Sequence, residues 1–538
     1  MKYVKVAILF FLGTNNLLMA QVPVINNQFD IGGSLEDRLS KICYTSDSSY
    51  LLIGYSRSNI SGDKTENSYG QSDYWIVKTN DNGNIDWQIT LGGSLDDQAF
   101  AGEQTMDGGY IIGGTSYSGI SGVKSELSKG STDYWIVKLN STGGIMWQKT
   151  IGGSSSDELR SIHELPDGSF IVGGYSKSGV SGNKNEASKG LYDYWVLKLN
   201  SVGSILWQNT IGSSYDDIIV DIQPVSGGGF IVGGTSAGTI SGDKTEGSGG
   251  HNDYWILKLN DIGDIVWQNT IQGASIDNLS SFCQTADGGV ILAGSSDSYA
   301  FFDKSENTIE YLFVPSTDFW VVKLDSLGII EWENTIGGAY SDVPTSIIES
   351  TNGYIIAGSS TSNIIYGDKI NKGYGSNDMW IVYLDLAGSV IAQTALGGTS
   401  LDVPMDITLT ENQHVIIGGY SLSNISGIKT ENTVGSYDYW VLELDSAMIE
   451  YNFDIEWEDT IGGLSTDLLT SIVPHSDGSY LIGGRSNSGI SGEKTSASFG
   501  DYDYWVVKYS NDGNVQWQKS YGGAGTDYLT IIKQTTDG

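Results

Sequence analysis

The chain has 538 residues, with 64 acidic against 28 basic side chains and a formal charge of −36. A surface this negative repels nucleic acid and anionic lipid, so neither is expected as a partner. Glycine numbers 72 and proline only 7, beside 15 Trp and 31 Tyr; so many turn residues with so much buriable aromatic area exclude a disordered linker.

At the N-terminus, Lys2 and Lys5 precede the apolar run Val6 to Leu12, with Ala20 as a cleavage point. This reads as an export signal over residues 1–20, so the mature protein is expected to be secreted or held at the outer cell surface. No later stretch is long and apolar enough to span a bilayer.

From Ile31-Gly32-Gly33 onward the chain is periodic. Asp37 and a segment around Ile42 come first. Asp47-Ser48-Ser49 then leads into Tyr50 to Gly54, and a Gly/Ser-rich loop carries Ser61-Gly62-Asp63-Lys64-Thr65-Glu66. Asp73-Tyr74-Trp75-Ile76-Val77-Lys78 follows, then a turn at Asp81 to Asn84 and the segment Ile85-Asp86-Trp87-Gln88. Each period offers four short strands bounded by Gly, Asp and Asn, the residues that supply turn geometry. The third is apolar on both faces, as a strand sandwiched between neighbouring sheets must be. It carries Trp75, Trp135, Trp195, Trp255, Trp320, Trp380, Trp440 and Trp505, spaced by 60 or 65 residues. The fourth carries Trp87, Trp147, Trp207, Trp267, Trp332, Trp457 and Trp517, with Ala392 in the sixth period. These indoles are expected to dock each unit on the next.

Helical periodicity is absent. Four-stranded units of this length indicate an all-β β-propeller of eight blades over 21–538, expected to be monomeric. Seven or nine blades, or a β-solenoid, are the alternatives; a solenoid would need shorter coils. Two five-residue expansions, between Lys304 and Trp320 and between Trp440 and Trp457, fall in loops, which tolerate them. Residues 527–538 repeat the segment from Asp37 and start a ninth repeat, so the sequence reads as truncated.

Antiparallel strands place the two-to-three loops and the four-to-one crossings on one face, where a rigid scaffold presents ligand-binding residues. Those loops share Lys64/Glu66, Lys124/Glu126, Lys184/Glu186, Lys244/Glu246, Lys304/Glu306 and Lys429/Glu431, departing at Asn371 and Ser496. Such uniformity implies a structural task, a charged bond to the neighbouring blade. An Asp follows each crossing: Asp37, Asp97, Asp157, Asp217, Asp277, Asp342, Asp402, Asp467 and Asp527. They are expected to ring the mouth of the central channel. They could form a Ca²⁺ site, because carboxylate oxygens suit hard cations. Alternatively each caps its own turn, which regular repetition favours. Cys43 and Cys283 share one phase, in the first and fifth units, too far apart for a disulfide; both are expected to be free.

Candidate catalytic residues do not stand out. His163, His251, His414 and His475 occur at different phases, and there is no zinc spacing, phosphate loop or nucleophile elbow. The segment Lys138-Leu139-Asn140-Ser141-Thr142-Gly143-Gly144-Ile145-Met146-Trp147 resembles the tryptophan-docking motif of quinoprotein-type propellers. Those enzymes carry adjacent cysteines, which this chain lacks, so their cofactor is not implied. Asp107-Gly108-Gly109-Tyr110-Ile111-Ile112-Gly113-Gly114, Asp133-Tyr134-Trp135-Ile136-Val137-Lys138 and Trp147-Gln148-Lys149-Thr150-Ile151-Gly152-Gly153 together resemble the repeat of secreted propeller-repeat proteins of Bacteroidetes. The resemblance covers nearly the whole mature chain. It implies a cell-surface protein, with type IX secretion common among such proteins and an endoglucanase label on some. The expected function is therefore a non-catalytic binding or adhesion scaffold for an extracellular glycan or protein. Tyr69, Tyr117, Tyr299 and Tyr366 are its candidate ligand-binding side chains. A polysaccharide-active hydrolase and a purely structural display repeat are the alternatives.

Overall fold

The structure, a computed structural model, describes residues 25–312 and 314–444 and, further on, 465, 467–474, 479–491, 494–510, 514–527 and 529. The export signal, Trp457, His475, the second five-residue expansion and residues 530–538 lie outside the described residues, as does the side chain of Asp467.

The described strands form eight four-stranded antiparallel sheets, seven of them in chain order. The first blade is Asp37–Thr45, Ser49–Ser56, Asp73–Thr79 and Ile85–Leu91. Its third strand is buried at every position, as its two-faced apolar sequence requires. Chain order makes each of those seven blades a local product of hairpins.

The chain divides into two compact units near Tyr451, and seven of the sheets belong to the first. Their first strands touch successively all the way round, the strand Asp402–Leu409 of blade seven returning to Asp37–Thr45 of blade one. The ring therefore closes at seven blades, the alternative count, while the eighth sheet belongs to the second unit. The cause is a strand that sequence reading placed in no blade. Ile25–Ile31 pairs antiparallel with Asp438–Leu444 and supplies the outer strand of blade seven. It reproduces the fourth-strand pattern: Gln28-Phe29-Asp30-Ile31-Gly32-Gly33 stands where blade one has Gln88-Ile89-Thr90-Leu91-Gly92-Gly93. Gln28 Nε2 donates to Ile428 O at 3.0 Å, as Gln88 Nε2 donates to Asp63 O at 2.7 Å. Asp30 replaces the threonine and forms a buried ion pair with Lys429. Burial raises the Asp30 carboxyl to about 7, against the pull of Lys429.

One contact between blades recurs around most of the ring. Tyr74 donates its hydroxyl to Trp135 O of the next blade at 3.0 Å, and the two rings lie 4.8 Å apart. The second strand of that next blade must be glycine where the tyrosine passes: a Cβ on Gly114 would sit 2.7 Å from the Tyr74 hydroxyl. Tyr134, Tyr194 and Tyr254 repeat the arrangement. Tyr439 closes the circle onto Trp75 O at 3.2 Å. The strand-four indoles pack against the next blade's three-to-four turn, Trp87 on Gly143 and Trp147 on Gly203.

The second unit's sheet runs Asp467–Pro474, Tyr480–Ser486, Asp503–Tyr509 and Val515–Tyr521. Its described core comprises Ile482, Trp505, Val507 and Tyr509, and Trp517 is 40% exposed.

Trp195→Ala should lower the unfolding free energy by about 3–5 kcal/mol, because a fully buried indole leaves a cavity between blades; a melting temperature within a degree or two of wild type would sink this docking role. Asp30→Ala should cost about 3 kcal/mol by stranding a buried ammonium. Asp30→Thr restores the repeat's own residue, the acceptor for Lys64 at Thr90, and should cost about 1 kcal/mol or less. Denaturant titration of the three proteins checks the order.

Candidate functional site

Blades one to four repeat one loop. In blade one, Ser61 and Lys64 form a tight bridge around Gly62, whose φ is +56°. This turn folds the loop back onto its own sheet. The Lys64 ammonium donates to Thr90 Oγ1 at 2.8 Å and lies 5.1 Å over the Trp75 ring. Its burial pulls its pKa down to about 8. Glu66 Oε2 accepts from Thr90 N at 2.6 Å. Thr90 lies on the fourth strand of the same blade, so the Lys/Glu pair fastens the loop to its own outer strand, where sequence reading placed a bond to the neighbour. Lys124, Lys184, Lys244 and Lys304 lie in the same way over Trp135, Trp195, Trp255 and Trp320.

The aspartates after the crossings do not ring the channel mouth; those of the seven blades are fully buried at the start of each first strand. Asp37 Oδ2 accepts from Gly33 N at 2.7 Å and from Ser58 Oγ at 3.0 Å. Asp97, Asp157, Asp342 and Asp402 accept in the same way from Gly93, Gly153, Gly338 and Gly398. Asp217 accepts from Ser213, and Asp277 from Ser298 Oγ at 2.8 Å. This is the turn-capping geometry. Burial raises the carboxyls of Asp37, Asp97, Asp157, Asp217, Asp277 and Asp342, Asp277 to about 6, against the hydrogen-bond donors that pull them down. Among the described residues no three His, Cys, Asp or Glu side chains converge to hold a metal ion.

The four candidate tyrosines separate into two places. Tyr69 packs against Gly122 of the next blade's loop. Tyr117 sits beside Glu158 and Asp96. Tyr299 and Tyr366 come together around the expanded loop of blade five: Tyr299 donates its hydroxyl to Glu310 Oε1 at 2.8 Å, and Tyr366 donates to Glu310 O at 3.2 Å. The five extra residues fold as a second tight turn, bridged at Tyr311 and Val314. Tyr311 reaches blade six, its ring 5.1 Å from Tyr366 and 6.1 Å from Tyr340. This cluster spans two blades on the long-loop face.

A second break in symmetry, missed by sequence reading, lies on the inner strands. His163 Nδ1 is 2.9 Å from Glu103 Oε2, and its Nε2 is 3.6 Å from Asp221 Oδ1. Ser161 also bonds Asp221, and Gln223 Nε2 donates to Asp221 Oδ2 at 2.7 Å. Blades two, three and four are thereby braced. Across the ring, Asp406 pairs with Lys41 at 3.2 Å and accepts from Ser346 Oγ at 3.1 Å, bracing blades six, seven and one across the closing seam. Burial would lower the His163 pKa, but the bonds to Asp221 and Glu103 outweigh it and raise it to about 9. Asp221 falls to about 2, the His163 bond overcoming the cost of burial. The available signal was phase: Cys43, Glu103, His163, Gln223 and Cys283 share one position of the repeat, where the side chain changes from blade to blade. Both cysteines are free. Burial pushes both thiols up to about 12, which makes them poor nucleophiles.

No family model matches this chain. The regulatory protein FlaEY of Caulobacter vibrioides is 24% identical over 215 residues, and the chain spans 22% of that protein's length and matches over 37% of its own. Among solved structures, the chain is similar to the Pan2 WD40 domain of Neurospora crassa. The identity is 9% and the TM-score 0.39, over 79% of this chain and 97% of that one. For the WD40 propeller domain of Doa1 the values are 12% and 0.42, over 79% and 98%. For a DUF4221 member from Bacteroides vulgatus they are 10% and 0.33, over 79% and 98%. Likenesses this distant carry no functional argument.

His163 binds its proton more tightly folded than unfolded, so its contribution is fully present below pH 6.5 and lost as pH rises through about 9. Facing it are Glu103 and Asp221, with Ser161 and Gln223 on the latter. Wild type should exceed His163→Gln in stability by about 1–2 kcal/mol at pH 6, and the gap should close by pH 10. The difference between the two isolates His163 from the buried lysines, whose lowered pKa values act with the opposite sign. Thermal melts across this range check it; a gap independent of pH would sink the assignment.

Proposed function

We propose that the mature chain is an exported, non-catalytic binding scaffold whose long-loop face takes an extracellular glycan or protein. One observation carries this reading. Among the described residues, a scaffold repeated almost without change departs from its pattern most strongly in adjacent loops of blades five and six, where Tyr299, Glu310, Tyr311 and Tyr366 converge. Rigid blades that present irregular loops are the usual arrangement for recognition. The channel acids Glu103, Asp221 and Asp406 are engaged by His163 and Lys41, which suits bracing. Export and display at the cell surface rest on the Lys2 to Ala20 segment.

A glycan-array screen of the mature chain, with and without Ca²⁺, followed by reducing-end release on every hit, tests the reading. Binding without release is expected. It should disappear when residues 297–317 are replaced by the blade-one loop, residues 57–72. Release of sugar ends would establish a hydrolase instead. Binding that survives the replacement would move the ligand to another face.

A further inference from the structure

The Ser-Gly turn of the long loops is interrupted in adjacent blades. Ser61, Ser121, Ser181, Ser241 and Ser426 begin it elsewhere, but blade five has Phe301 and blade six has Tyr366. In the ordinary loops this serine bonds a hydroxyl on the crossing beside it, as Ser61 does with Ser34 at 3.0 Å and Ser241 with Ser214 at 3.0 Å. Blades five and six carry Ala274 and Ala339 on those crossings. Both members of the polar pair are thus replaced together, twice.

The next position is glycine in the other blades, with φ between +56° at Gly62 and +60° at Gly367. Blade five puts Phe302 there, at φ +56°. A bulky side chain in the left-handed region is sterically disfavoured, and such outliers cluster where function holds them. The inserted second turn repeats the feature with Leu312 at φ +54°. These side chains are not hidden in return: Phe301 is 60% exposed, Phe302 55% and Leu312 73%. Phe301 and Phe302 stand edge to face, 4.5 Å between centroids. Phe302 also lies against Gly249 of blade four.

We infer that Phe301 and Phe302, with Tyr299 and Glu310 at the rim, form a platform for a neutral carbohydrate. This deepens the binding reading above and rests on it. Aromatic faces are electron-rich and fit the C–H face of a pyranose, while the rim hydroxyl and carboxylate can bond its hydroxyls. Charge decides the sugar class. The loop's lysine, Lys304, is buried against Trp320, Glu310 is an anion, and the chain carries −36, so anionic sugars are repelled. Size decides against a protein. A stable protein contact takes roughly 20–30 residues a side, whereas this patch is one loop and its immediate neighbours.

The test is calorimetric titration of the mature chain with neutral gluco-, manno- and xylo-hexasaccharides, beside Phe301→Ser and Phe302→Gly. Each variant restores a residue the repeat itself uses at that position, and because Phe302→Gly also uncovers Gly249, the melting temperature of each variant is measured beside binding, with Phe301→Ser expected to melt as wild type does. Wild type should bind at least one neutral hexasaccharide, and either variant should weaken it by ~10-fold or more. High salt should leave the affinity unchanged. Wild type silent on all three sugars would overturn the carbohydrate assignment. Binding unaffected by both variants would overturn the platform while leaving the scaffold reading in place. A preference for anionic over neutral sugars would overturn the charge argument.

Discussion

The ring depends on a tyrosine passing over a glycine. Blades one to four and seven begin the third strand with a tyrosine that crosses the next blade's second strand and bonds the backbone of its tryptophan, and blade six has Met379 at this position. A side chain on the glycine would block the approach, as the 2.4 Å between a Cβ on Gly174 and the Tyr134 hydroxyl makes plain. Burying the phenol is tolerable because its hydroxyl is satisfied by a carbonyl that the sheet leaves available. Blade five uses Phe319 and keeps the ring contact with Trp380 at 5.0 Å without the hydroxyl, so shape carries the contact and the hydrogen bond adds to it.

Repetition alone does not say where to stop. Closure requires a blade with an unfilled outer position and a strand free to fill it. Ile25–Ile31 meets both needs, bringing its own glutamine, a phenylalanine and an aspartate for Lys429. A contact between the chain's first described strand and residues some four hundred positions later converts a linear array into a ring, through the glutamine bond that also holds blade one's outer strand and an ion pair in place of the lysine–threonine bond.

Uniform loops and uniform turn caps belong to this scaffold. Lys64, Glu66 and Asp37 use their charges inside the blade, on hydroxyls, amides and indole faces. Departures from uniformity fall into two kinds. Those on the inner strands pair with one another, as His163 does with Glu103 and Asp221. Those on the blade-five loop face outward and leave apolar rings in solvent. A polar exception that finds a partner braces the ring; an apolar exception held in the open in a disfavoured backbone conformation is available for a ligand.

The sequence by itself determined the four-stranded β unit, because this follows from local patterning: turn residues at regular intervals and a strand apolar on both faces. It also brought Tyr299 and Tyr366 forward as ligand candidates. It did not determine the number of blades in the ring, because that is set by which distant strand reaches the seventh outer edge, and the fourth-strand pattern of Gln28 to Gly33 does not itself name the blade it completes. Nor did it decide which side chains meet. Glu103, His163 and Asp221 are about sixty residues apart in the chain, and only the closing of the inner strands around one axis sets their charges side by side. Phe301 and Phe302 were legible as letters that break the repeat, but their exposure and the left-handed backbone at Phe302 are properties of the folded loop.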